Sequence, residues 1–257
     1  MKTYKAAAKV NIFLKITGKR DNYHEILSRF MRIDNLYDTL HFFPKERENF
    51  LIQGDFNCST EQNTIYKAYK ALLSATNSNE LKILMKTHGV SVNKQIPAFA
   101  GLGGGSSDAA TYLKMCNEVL HLGLSLTQLA AIGAKVGADV PFFIYGYTSA
   151  NVSGIGEIVE PFEEAALTLE TYTPAIEIST PAVYNRFRKD FYKELDKKES
   201  LQLSKMCSEE VLERYNIEEA NDLYVPALSL YPALKKSYKA GHFFSGSGSS
   251  FFKVKTL

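Results

Sequence analysis

Few features of this chain point to a special environment or to a partner recognised by bulk charge. Only three cysteines occur in 257 residues, Cys58, Cys116 and Cys207, far apart and without paired spacing. That speaks against a disulfide framework and for reduced structural thiols, as in the cytosol. Neither sign of charge dominates: the formal net charge is +2. The chain therefore has no global field for nucleic acid or a membrane surface, and any anion it binds is held by a local site. The densest basic stretch, Lys189 to Lys198, is broken by Asp190, Glu194 and Asp196 and reads as a solvated helix face. No apolar run approaches the roughly 20 residues of a membrane span. The start, Met1-Lys2-Thr3-Tyr4-Lys5, reaches Lys9 and Asn11 before any long apolar run develops, which is not the pattern of a signal peptide. Internal repeats, disordered tracts and clusters of His, Cys and carboxylates suited to a transition metal are also lacking. A cytoplasmic protein is expected.

What remains is an ordinary globular composition, 45% hydrophobic and 23% charged, in a chain long enough for one large domain or two moderate ones. Ala6, Ala8, Val10, Ile12, Leu14 and Ile16 alternate with Ala7, Lys9, Asn11, Phe13 and Lys15, the period of a strand. Thr17 to Asn22 reads as a turn, and Glu25 to Phe43 as a second extended region ending at Pro44. Asn63 to Ala75 carries a helical stripe of Ile65, Ala68, Tyr69, Leu72 and Leu73. Leu81 to Thr87 and Val90 to Gln95 read as paired strands broken at His88-Gly89. Ala109, Leu113, Cys116 and Leu120 mark a helix. A further helix opens with the capping box Ser125-x-x-Gln128 and stops at Gly137. Phe142 to Tyr145 and Ala175 to Ser179 read as strands. Helices are expected within Ala182 to Arg214 and from Pro226 to Tyr238, and a last strand from Phe251 to Lys255. The fold class is mixed α/β (α+β) in two lobes, 1–150 and 151–257.

The chemistry centres on Pro97-Ala98-Phe99-Ala100-Gly101-Leu102-Gly103-Gly104-Gly105-Ser106-Ser107, which runs directly into the helix marked by Ala109. Glycines let the backbone bend tightly and approach a ligand, and the first-turn amides of the helix then point at it with the positive end of the dipole. The pattern fits a polyphosphate cradle; the alternative, a flexible linker, is disfavoured because the loop sits between a patterned strand and a patterned helix. It is not a P-loop, because Ser106-Ser107-Asp108 stand where that motif needs Lys and Ser/Thr; nor is it a Rossmann fingerprint, which needs Gly or Ala at Ser106. Asp139 sits just after the glycine that ends a helix, a place from which a carboxylate can face a cleft; alone, such an aspartate is more often a turn or capping residue. Lys9 alone reads as a solvated strand lysine. Beside a phosphate cradle, the two match what phosphoryl transfer to an alcohol requires: positioning, charge stabilisation and a proton acceptor.

Together these segments resemble the GHMP kinases. The P-x-x-x-G-L-G-G-G-S-S motif of that family stands complete as Pro97 to Ser107, continued by Asp108-Ala109-Ala110, and Ser245-Gly246-Ser247-Gly248-Ser249-Ser250 is similar to its C-terminal glycine-rich turn. Within the superfamily, Ala8-Lys9-Val10-Asn11, Asp21-Asn22-Tyr23-His24-Glu25, Gly137-Ala138-Asp139-Val140-Pro141, Asn151 to Glu157 and Asn221-Asp222-Leu223 resemble the kinases acting on 4-diphosphocytidyl-2-C-methyl-D-erythritol. Asn22 replaces their usual glycine. The resemblance implies a two-domain fold with ATP and substrate in the cleft, and ATP as co-substrate with Mg2+, whose protein ligand it leaves open. It further implies Asp139 as proton acceptor oriented by Lys9, the cytidine read by Tyr23, His24 and Tyr184, and Asn11 on the erythritol or its phosphate. No nucleic-acid or membrane partner is implied. A homoserine or mevalonate kinase has no use for a base-reading set, and a non-catalytic nucleotide-binding regulator has no use for Lys9 and Asp139.

Overall fold

The computed structural model describes residues 2–21, 23–46, 49–193 and 195–255. The first two elements are long strands, β1 (Tyr4–Arg20) and β2 (Tyr23–Pro44). The turn expected at Thr17 to Asn22 is shorter than its composition suggests. Arg20 pairs with Glu25 at 3.0 Å, which carries the strand pair past Gly18. Asp21 alone takes the left-handed conformation, at φ +52°, and Asn22 lies outside the described residues.

The chain forms two compact units. The first comprises Met1–Ala8, Asp34–Ala98 and Gly103–Gly146; the second comprises Lys9–Ile33, Phe99–Leu102 and Tyr147–Leu257. In the first unit, β3 (Ile52–Gln53) runs parallel to β4 (His88–Asn93), which pairs antiparallel with β2 in the register Leu40 to Val92 and Phe42 to Val90. The helices are α1 (Thr64–Thr76), α2 (Asn79–Thr87), α3 (Gly104–Val119), α4 (Leu126–Ala134) and α5 (Val140–Tyr145). α3 packs on α1 and α5, and α4 packs on α5.

Two expected strands are helices. Leu81 to Thr87 is the body of α2: the Ser78 hydroxyl accepts the Leu81 N–H at 3.0 Å, and Leu81 and Met85, four apart, bury one face. Phe142 to Tyr145 is α5. Pro141 in its first turn presets φ for a helix, and a Cβ at Gly133 of α4 would lie 2.6 Å from Val140 Cγ1, so the two helices touch directly. Short apolar runs fit either period, and packing decides between them. The capping box at Ser125 and Gln128 forms as its sequence predicts.

In the second unit, residues 26–31 of β2 pair antiparallel with β5 (Ser149–Gly154), and β6 (Ile158–Pro161) flanks β5. The strand expected at Ala175 to Ser179 is absent. The pairing edge lies earlier, at β7 (Leu169–Tyr172), which joins a small sheet completed below. The helices are α6 (Thr180–Asp190), α7 (Lys197–Lys205), α8 (Ser208–Arg214), α9 (Ile217–Ala220), α10 (Tyr224–Leu230) and α11 (Leu234–Ser237). The single helix expected from Pro226 to Tyr238 is split at Tyr231-Pro232, where proline has no N–H to continue the ladder. β8 (Phe243–Phe244) and β9 (Phe251–Val254) close the sheet in the order β7-β9-β8, all antiparallel. Its core joins Leu14, Ile16, Ile178, Phe187, Leu223, Phe244 and Phe251.

The least expected core member is Arg29, whose side chain is fully buried. Its guanidinium donates to Asn151 Oδ1 at 2.8 Å and to the carbonyls of Ser204 and Met206 at 3.1 and 3.2 Å. It pairs with Glu164 at 3.3 Å and lies 3.3 Å from the centre of the Phe162 ring. One arginine thereby ties β2 to the C-terminal end of α7 and the residue that follows it. Among the described residues, no helix is long and apolar enough to cross a membrane.

Candidate active site

In the first unit the glycine-rich loop ends as the sequence predicts. Gly103, at φ +74°, is the N-cap of α3, and Gly104, Gly105 and Ser106 form its first turn. No side chain caps that end, so its amides are available to an anion. The Thr64 hydroxyl of α1 holds the Gly105 carbonyl at 2.6 Å. The turn before α5 comes close: a Cβ at Gly137 would lie 3.6 Å from Ser106 Oγ. That turn carries Asp139, half-buried at the N-cap position of α5, and its carboxylate makes no cap hydrogen bond to the helix. The capping explanation of Asp139 is therefore excluded.

In the second unit the other half of the loop meets β1. Lys9, only 3% exposed, is not the solvated lysine of a polar strand face. Its ammonium donates to Asn11 Oδ1 at 2.7 Å and to the Gly101 carbonyl at 3.1 Å, and lies 4.5 Å from the centre of the Phe30 ring. The Lys9 N–H donates to the Leu102 carbonyl at 3.0 Å. Asn11 donates from Nδ2 to Ser28 Oγ at 2.9 Å, and its own N–H reaches Ser245 Oγ at 3.4 Å. The Ser245 hydroxyl in turn donates to the Gly101 carbonyl at 2.9 Å. Lys9, Asn11, Gly101 and the C-terminal small-residue turn thus form one hydrogen-bonded cluster. Ala100 and Leu102 are buried, whereas Pro97, Ala98 and Phe99 are exposed.

A second group lies at the start of β2. His24 is buried, its ring 5.3 Å from that of Tyr184 and 6.0 Å from that of Phe187. His24 Nε2 is buried without a hydrogen-bond partner among the described residues. A buried polar atom of that kind costs free energy unless something binds it. Burial, and then the positive charges of Arg188 and Lys19, hold the His24 imidazole below its usual range, so the ring is neutral at physiological pH. Tyr23, by contrast, is 62% exposed.

Sequence reasoning missed several residues. Ser28 positions Asn11, and the Thr180 hydroxyl sits 2.7 Å from that of Ser247 in the C-terminal turn. Lys94 bridges Asp38 and Asp108 beneath the first turn of α3. None of these belongs to a local motif, so only the fold reveals them. Among the described residues no group of three or more His, Cys, Asp or Glu could hold a metal ion.

A glycine-rich helix entry, with a buried lysine and a second small-residue turn on the other half of the same loop, defines a GHMP kinase, and residues 63–147 match the GHMP kinases N terminal domain. Over essentially its whole length the chain is 61% identical to the 4-diphosphocytidyl-2-C-methyl-D-erythritol kinase of Sulfurimonas denitrificans, covering 99% of this chain and 97% of that one. It is 49% identical to the enzyme of that name from Sulfurovum sp., covering 99% and 100%. A crystal structure of 4-(cytidine 5'-diphospho)-2C-methyl-D-erythritol kinase superposes with a TM-score of 0.69 at 31% identity, over 98% of this chain and 90% of that one. The chain belongs to the 4-diphosphocytidyl-2-C-methyl-D-erythritol kinase family.

Proposed function

We propose that this protein transfers the γ-phosphoryl group of ATP to the 2-hydroxyl of 4-diphosphocytidyl-2-C-methyl-D-erythritol. The products are the 2-phosphate and ADP, in the non-mevalonate route to isopentenyl diphosphate. The observation that carries the substrate assignment is His24, a neutral imidazole with a buried, unpartnered nitrogen beside the Tyr184 ring. A pyrimidine satisfies that nitrogen with its Watson–Crick edge while stacking on the tyrosine, and stacking contributes about 1–3 kcal/mol per base. Homoserine and mevalonate have no ring to offer.

The nucleotide polyphosphate lies on the Gly101-to-Ser107 loop and the first-turn amides of α3. Mg2+ accompanies ATP and neutralises part of its charge. Asp139 accepts the proton of the attacking hydroxyl, Lys9 supplies positive charge where negative charge develops, and Asn11 holds the erythritol end. In a loose transition state that proton leaves late, so Asp139 acts largely as an orienting acceptor. Tyr23, exposed as it is, closes on the base from the solvent side. The 1–150 part carries the nucleotide, the substrate is bound by Asn11, Tyr23 and His24 of that part together with Tyr184 of the 151–257 part, and the reaction draws on the nucleotide pools of the cytoplasm.

The test is ADP release with Mg2+ and ATP, comparing the cytidyl substrate with homoserine and mevalonate and checking product mass. Turnover of the cytidyl substrate alone, giving a product heavier by one phosphate, is the expected result. Turnover of another alcohol, or silence from folded protein that still binds ATP, refutes the assignment.

A further inference from the structure

Beneath the phosphate loop lies a buried charge cluster that phosphoryl transfer does not call for. Lys94 Nζ donates to Asp108 Oδ2 at 2.7 Å and also binds Asp38. Both carboxylates are buried, and Asp108 stands one turn into α3, directly after Ser107. A Cβ at Gly104, the first residue of that helix, would lie 3.5 Å from Lys94 Nζ, so the cluster reaches the loop itself. One ammonium faces two carboxylates, an excess of one negative charge under a site that takes a polyanion.

The two carboxylates are not equivalent. Asp38 Oδ1 accepts the backbone N–H groups of Gln95 and Ile96, at 2.5 and 2.8 Å. Asp108 has only Lys94, and its Oδ1 is buried without a partner among the described residues. An oxygen in that position is far less costly to bury neutral than charged. The charged groups facing Asp108 are Lys94 and Asp38. α1, packed on α3, contributes the uncharged Thr64 hydroxyl on the Gly105 carbonyl, and the turn before α5 brings Gly137 beside Ser106.

We propose that Asp108 takes up a proton when the polyphosphate of ATP occupies the loop, so that nucleotide binding and protonation of this cluster are coupled. The inference rests on the assignment of the loop to ATP. Burial, partly opposed by Lys94, places the Asp108 carboxyl at about 7, so around neutrality the empty loop is divided between the two protonation states. A polyanion one helical turn above disfavours the carboxylate further and raises that value. Linkage then requires affinity for ATP to fall as pH rises from the empty-loop value towards the loaded one, by up to about tenfold per pH unit.

The experiment is calorimetric titration of wild type and Asp108→Asn with ATP and Mg2+ at pH 8, each in two buffers of different ionisation enthalpy. Wild type is expected to take up a substantial fraction of a proton more than the variant. Its affinity is expected to weaken between pH 7 and 8 by a factor the variant does not show. Equal proton counts and parallel pH profiles overturn the proposal and leave the ATP assignment standing. No binding to folded wild type overturns both. If Asp108→Asn does not fold, the infrared difference spectrum of wild type with and without ATP decides: a protonated-carboxyl band that grows on binding supports the coupling, and its absence refutes it.

Discussion

Gly101→Ala tests whether the cluster around Lys9 is as tightly built as its geometry indicates. A Cβ at Gly101 would lie 2.1 Å from the Ser245 carbonyl oxygen and 3.2 Å from that of Gly248, both backbone atoms that cannot swing aside. The glycine also sits at φ +73°, where an alanine costs about 1–2 kcal/mol. Relieving the overlap needs a shift of about 1 Å, since carbon–oxygen contacts below ordinary van der Waals separation are strongly repulsive. That shift separates the Gly101 carbonyl from the Ser245 hydroxyl and from the Lys9 ammonium, bonds worth about 0.5–1.5 and 1.5–3 kcal/mol. The total is on the order of 3–6 kcal/mol, shared between stability and the productive placement of Lys9. The assay is kcat/KM for ADP release together with urea denaturation. The expected outcome is a fall of at least about a hundredfold in kcat/KM with a measurable drop in the unfolding midpoint. Gly123→Ala is the control: φ there is +67° but nothing lies within 4 Å of the added carbon, so that variant bears only the backbone term. If Gly101→Ala behaves like Gly123→Ala, the inferred contact between Gly101 and the Ser245 turn does not govern Lys9, and the reasoning fails.

Other substitutions separate the roles. Asp139→Asn is expected to bind ATP and the cytidyl substrate as wild type does while losing most of its kcat; turnover near the wild-type rate removes Asp139 from the chemistry. Tyr184→Ala is expected to raise KM for the cytidyl substrate about 5- to 150-fold at unchanged KM for ATP, the equivalent of about 1–3 kcal/mol of stacking, and an unchanged KM discards the stacking role. Because burial and the charges of Arg188 and Lys19 lower the His24 imidazole, its protonation and the accompanying rise in substrate KM should set in below the ordinary histidine value of 6.5; a rise centred above that value contradicts the environment described. Arg29→Met leaves Glu164 buried with only the Ser149 and Ser208 groups to bind it, and a loss of about 3–5 kcal/mol in urea denaturation is expected, against which a loss under 1 kcal/mol would argue that the arginine is not a structural pin.

Where the hydrophobic period was long, the sequence was a reliable guide. β1, β2, α1, α3 and the capping box of α4 follow directly from spacing, and the glycine loop lies where a strand-to-helix anion site belongs. It failed on short apolar runs. Leu81 to Thr87 and Phe142 to Tyr145 are β-compatible in composition, yet Ser78 caps the first and the contact between Gly133 and Val140 selects a helix for the second. β5 left no clear signal because its alternation is carried mostly by small and polar residues, and β6 because it is only four residues long. The hidden part of the site was hidden for a different reason. Asp38, Lys94 and Asp108 are separated by 56 and 14 positions, and Arg29 meets Glu164 across 135. No local pattern encodes such pairs; burial alone makes them necessary, and burial is decided by the whole fold.

Asn221-Asp222-Leu223 shows how a motif can mark a site without touching chemistry. Asn221 donates through Nδ2 to the carbonyls of Phe244 and Gly246, both at 2.9 Å, and accepts the Leu223 N–H at the same distance. Asp222 gives its N–H to the Leu14 carbonyl at 3.0 Å, takes the Ile16 N–H at 2.8 Å, and pairs with Lys15 at 2.5 Å. The two side chains therefore clamp β1 on one side and the entry to the Ser245 turn on the other. Those are the segments that present Lys9 and Asn11 and that hold the Gly101 carbonyl. Neither residue need meet a substrate for its identity to matter. An apolar residue at 221 would remove the Asn221 hydrogen bonds from the Phe244 and Gly246 carbonyls, at about 0.5–1.5 kcal/mol each, and would loosen the turn that fixes Gly101. Such a residue acts on turnover through position, so Asn221→Ala should lower kcat/KM and the unfolding midpoint together, whereas a residue that only meets substrate lowers the first alone.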